Sequence, residues 1–79
     1  MKRMVKMYEF PVVVERDEQG YFFAYVPSLQ GCYTQGRSLE ETLRNAREVI
    51  ELHIEDRLAH GEAVSSRRPV SLSSIEVKV

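Results

Sequence analysis

Residues 10–64 read FPVVVERDEQGYFFAYVPSLQGCYTQGRSLEETLRNAREVIELHIEDRLAHGEAV, and this stretch decides the fold. From Met7 to Arg16, Tyr8, Phe10, Val12 and Val14 alternate with Glu9, Pro11, Val13 and Glu15, the period-two pattern of a half-buried strand. Pro11 cannot donate to a ladder, so the strand belongs at a sheet edge, or Pro11 stands at its start or at a bulge. Asp17-Glu18-Gln19-Gly20 is a turn, and the aromatic run Tyr21–Val26 is the second strand of a hairpin. Pro27–Gly31 reads as a loop, Cys32–Gln35 as a short third strand closed by Gly36.

The helix signal that follows is the clearest in the chain. Ser38-Leu39-Glu40-Glu41 is a capping box, in which the Ser38 hydroxyl accepts from the Glu41 amide and the Glu41 carboxylate reaches back to the Ser38 amide. The helix is predicted from about Leu39 to His60, with Leu39, Leu43, Ala46, Ile50 and Ile54 facing inward and Val49 and Leu58 widening the stripe. Gly61 suits the position just past its C-terminus. Residues 65–69 form a polar linker, and Val70–Val79 alternates again, with Ile75, Val77 and Val79 against Ser74, Glu76 and Lys78, which predicts a fourth strand. That strand either returns to its own sheet or crosses to a partner's. The expected class is α+β, ordered β-β-β-α-β, with one long helix on one face of an antiparallel sheet.

Size and composition bound the function. Seventy-nine residues make one domain, 1–79, with its core at about 7–64. Such a chain reaches a net stability of only about 3–5 kcal/mol unaided. The single cysteine, Cys32, excludes an internal disulfide, and no Cys/His set has metal-finger spacing, so self-association as a dimer or tetramer is the expected support. A net charge of −1, from 11 basic and 12 acidic residues, is not the footprint of a nucleic-acid binder. No run approaches the ~20 apolar residues of a membrane span, and the start lacks a signal core, which makes the cytoplasm the simple location.

The chemistry-bearing residues do not assemble into a catalytic set. His53 and His60 lie seven apart on one helix, too far to share an ion. Cys32, on a short apolar strand without a neighbouring base, reads as a buried thiol. Glu9, Glu15, Asp17 and Asp56 are spread over strand, turn and helix end and are not expected to converge on a metal. The basic pairs and triplets, Lys2, Arg3 and Lys6 and then Arg67 and Arg68, have no interleaved aromatics for base stacking. No enzyme, cofactor or metal is expected. The aromatic strand is different. Alternation sends Tyr21, Phe23 and Tyr25 to one face and Phe22, Ala24 and Val26 to the other, and the helix can cover only one of them. Apolar surface left on the other face predicts an interface.

The pieces FPVVVERD, GYFFAYVP, LQGCYTQG, SLEETLRNAREVIEL and GEAV, in this order and spacing, resemble the HicB family of antitoxins over about Tyr8–Val64. The resemblance implies a degenerate, partial RNase H-like domain without nuclease chemistry. It also implies a role in a type II toxin–antitoxin system, binding and masking HicA, a small toxin that cleaves mRNA. Many HicB proteins carry a further C-terminal DNA-binding domain. The 18 residues after Gly61 suffice for a linker and a strand, so a stand-alone domain without a DNA-binding domain of its own is expected. The acidic helix face, at Glu48, Glu51 and Glu55, and the sheet residues Phe22, Tyr25 and Tyr33 are the candidate partner contacts. The rival expectation is a homo-oligomeric structural or small-ligand-binding module with no toxin.

Overall fold

The computed structural model describes residues 7–64 and 70–79; the linker and the basic clusters at both ends fall outside the described residues. Three short strands, β1 (Val13–Arg16), β2 (Phe22–Tyr25) and β3 (Tyr33–Gly36), precede one long helix, α1 (Leu39–Ala59). The strands form an antiparallel sheet in the order β1-β2-β3. This is the expected succession of three strands and a helix, with shorter strands than alternation alone suggests. Ladder pairing begins only at Val13, two residues beyond Pro11.

The β1–β2 turn is closed from within. Asp17 Oδ1 accepts from the amides of Gln19 and Tyr21 at 2.9 and 2.8 Å, and Gly20 takes a φ of 90°. That conformation costs glycine little and other residues more. Register then sorts the side chains: Val13 pairs with Tyr25, Ala24 with Val14 and Thr34, and Phe22 with Arg16 and Gly36. Since residues directly opposite share a face, Val14, Arg16, Phe22, Ala24, Thr34 and Gly36 point toward the helix layer. Val13, Glu15, Phe23, Tyr25, Tyr33 and Gln35 point away from it.

The helix lies over β3 and β2. Its seat is Gly36, which is buried. A Cβ there would lie 2.5 Å from Thr42 Oγ1 and 2.9 Å from the Thr42 amide nitrogen. Thr42 is in turn fully buried and donates its hydroxyl to the Ser38 carbonyl at 2.7 Å. This close approach corrects the predicted inward stripe. Thr42 and Ala46 are buried, with Val49, Ile50, His53 and Ile54 half-buried, whereas Leu39 and Leu43 are exposed. A glycine and a threonine set the rotation of the helix, and hydrophobic periodicity is blind to both.

The Pro27–Gly31 loop also carries more than a connection. Val26, Leu29 and Cys32 form the central cluster, with Phe10, Val12, Val49 and Ile50 packed against it. Leu29 is held there by a tight turn in which its amide donates to Val26 and its carbonyl accepts from Cys32, at 3.0 and 3.1 Å.

Two further expectations change. The Ser38 hydroxyl does accept from the Glu41 amide, at 3.0 Å, but the Glu41 carboxylate accepts from the Arg37 amide, at 3.2 Å, one residue before the expected donor. And residues 70–79 form no ladder with the chain's own sheet; they are exposed throughout. Alternation specifies that a strand needs one buried face, not which sheet supplies it.

Candidate protein-interaction site

Among the described residues, no helix or strand covers the sheet face turned away from α1. Phe23, Tyr25 and Tyr33 are 39, 36 and 62% exposed, and their rings gather into one patch. Ring centroids lie 6.0 Å apart for Phe23–Tyr33 and 6.3 Å for Phe23–Tyr25, within the range of favourable aromatic contact. The cause is register. Tyr25 and Tyr33 are directly paired across β2 and β3, and Phe23 sits two residues along on the same side. Tyr21, also exposed, precedes β2 on the same alternation. The arrangement offers large, stiff aromatic side chains, two of them with a hydroxyl tip, of the kind enriched in protein–protein contacts.

The six candidate contacts divide between surfaces. Tyr25 and Tyr33 belong to the aromatic patch. Phe22 does not: it points to the helix side, is half-buried, and lies under the Arg16 guanidinium, 5.5 Å from the ring centroid. Glu48, Glu51 and Glu55 are exposed on the outer side of α1, away from the patch. Sequence reading also missed an apolar flank on the helix, where Leu39, Leu43 and Leu58 are exposed beside the half-buried Ile50 and Ile54. Its signal was present in the same leucines, which periodicity had placed inward.

Two titratable groups, Cys32 and His60, are shifted from their ordinary values. Burial pushes the Cys32 thiol above its ordinary value, against a smaller opposing pull from Arg57, so the nucleophilic thiolate is disfavoured. His60 caps the helix C-terminus. Its Nδ1 donates to the Asp56 carbonyl at 2.7 Å and lies 3.5 Å from Asp56 Oδ1. That backbone bond, then the Asp56 charge, raises its pKa. Among the described residues no group of three His, Cys, Asp or Glu side chains is placed to hold a metal ion. Nor is any described helix long and apolar enough to cross a membrane.

Comparison with known proteins agrees with this architecture. The sequence model of a family described as the HicB-like antitoxin of bacterial toxin–antitoxin systems matches residues 10–78. A UPF0150 protein of Helicobacter pylori is 48% identical over 65 residues, covering 82% of this chain and 89% of its own. A UPF0150 protein of Thermotoga maritima is 37% identical over 79 residues, 99% of both chains. Among solved structures, the N-terminal domain of the Burkholderia pseudomallei antitoxin HicB superposes with a TM-score of 0.69 at 28% identity. That match covers 77% of this chain and 72% of the other. With three antiparallel strands, one long helix and a family match over nearly its whole length, this chain belongs to the HicB-like antitoxins of bacterial toxin–antitoxin systems.

Proposed function

We propose that this protein is the antitoxin of a type II toxin–antitoxin pair, and that it binds and masks a HicA-type mRNA-cleaving toxin in the cytoplasm. The observation that carries the reading is the uncovered aromatic patch of Phe23, Tyr25 and Tyr33 on a chain of the antitoxin family. A masking protein needs a contact that excludes water from its partner's working surface, and stacked aromatic rings on a rigid sheet supply one at little entropic cost. The acidic outer side of α1 acts differently. Glu48, Glu51 and Glu55 stand away from the patch, so they act through their field, drawing in a basic RNA-binding partner and orienting it.

The two roles separate kinetically. Tyr25→Ala with Tyr33→Ala speeds dissociation and costs at least ~2 kcal/mol of affinity, as loss of central aromatic anchors does. Glu51→Lys with Glu55→Lys slows association, most strongly at low salt, and leaves dissociation nearly unchanged. Surface-based kinetics with a purified HicA-type toxin reads both. Dissociation unaffected by the tyrosine pair removes the sheet face as the contact. The first step is recovery of the tagged chain from its host, which should bring a small basic toxin with it in near-stoichiometric amount.

A further inference from the structure

The chain exposes 7338 Å², whereas a compact protein of its mass, 9.2 kDa, exposes about 4,900 Å². Its radius of gyration is 15.4 Å, against about 12 Å for a compact chain of this length. The molecule measures 60 × 28 × 20 Å. The C-terminal arm, residues 70–79, contributes to this: Leu72, Ile75, Val77 and Val79 are each at least 73% exposed. The arm alternates as a strand does, yet makes no ladder. On the body, among the described residues, β1 pairs with β2 and with no other strand, so its outer edge carries no ladder. The opposite edge is partly closed, because Asn45 Nδ2 donates to the Gln35 carbonyl of β3 at 3.0 Å. Between the start of the arm, at Val70–Leu72, and the β1 side of the body, at Pro11–Val14, lies a cleft of about 530 Å³.

We infer that the occupant of this edge is the arm of a second copy: residues 70–79 of one chain add as a strand to β1 of another, and the exchange is reciprocal. An open edge strand and an unpaired alternating strand are complementary in backbone hydrogen bonding, and each is a liability alone. Ten residues span about 33 Å when extended, more than enough to cover a four-residue edge. The arm holds part of the excess surface, with Leu72, Ile75, Val77 and Val79 all available for burial against a second copy. Reciprocal exchange of one segment closes as a two-fold dimer and leaves no free edge at β1. Tyr25 lines the cleft as well as the aromatic patch, so the exchanged strand and the toxin contact meet at that residue.

The test is sedimentation equilibrium of the full chain without toxin, beside a variant carrying Ile75→Pro and Val77→Pro. Both positions are exposed, so the prolines leave the folded body and its circular dichroism unchanged while removing two ladder donors. The full chain is expected at dimer mass or a multiple of it, and the variant as monomer with its dissociation constant raised at least tenfold. Separately, differently tagged full-length copies are mixed and captured through one tag; recovery of the other tag is expected, and its loss in the proline variant. A monomeric full chain, an oligomer indifferent to both prolines, or failure of one tag to bring down the other would overturn the inference.

Discussion

Gly36 decides how the two layers meet. The helix approaches so closely that a methyl group there would press on Thr42, backbone included, and Thr42 cannot withdraw without losing its bond to Ser38. Gly36→Ala should therefore destabilise the protein by about 1–3 kcal/mol, the usual cost of overpacking, as read from denaturant unfolding. Leu29 tests the other side of the core. It is 2% exposed, although it sits in a loop, and Leu29→Ala should cost about 2–5 kcal/mol, enough to unfold much of a domain this small. Wild-type stability in that variant would show that the Pro27–Gly31 turn is only a connection. Neither residue was legible as a core determinant in the sequence. A glycine has no hydropathy, and a single leucine between proline and glycine has no periodicity.

At the scale of elements, the helix was the most legible part, because its ends are written in local chemistry. Ser38 is observed as the N-cap, and at the other end Glu62 and Gly61 donate back to Arg57 and Leu58 at 2.9 and 3.1 Å, with Gly61 at a φ of 72°. Ser38→Ala should cost about 1 kcal/mol through the orphaned Glu41 amide, measurable as a lowered unfolding midpoint. What the sequence could not state was which side of the helix meets the sheet, since its apolar arc is wider than the strip that three short strands can cover. Leu39, Leu43 and Leu58 lie on the excess. The C-terminal cap also gives a pH dependence. Because the folded pKa of His60 lies above the ordinary value of about 6.5, its contribution to stability is fully present below that value and lost as pH rises through the folded one. The thermal midpoint should fall slightly across that window in the wild type, and His60→Gln should remove that part of the fall. An identical pH profile in the variant would assign it to other groups.

For the whole molecule, alternation in the aromatic strand correctly separated Tyr21, Phe23 and Tyr25 from Phe22, Ala24 and Val26. Tyr25 and Tyr33 are both among the expected contacts, but so is Phe22, which register turns to the helix side, with Phe23 in the patch instead. Those are facts of register and of layer packing. Nor could alternation say whether the arm returns to its own sheet, because a strand's pattern records only that one of its faces needs cover. Family and fold place the chain among the HicB-like antitoxins of toxin–antitoxin systems, and the proposed masking of a toxin rests on the aromatic surface left open. The direct measurement is a titration of a partner HicA-type toxin's RNA cleavage with this protein. Cleavage should fall to background near one antitoxin chain per toxin, and Tyr25→Ala with Tyr33→Ala should shift that curve to much higher concentration. Cleavage that continues unchanged in a large excess of the wild-type protein would contradict the account.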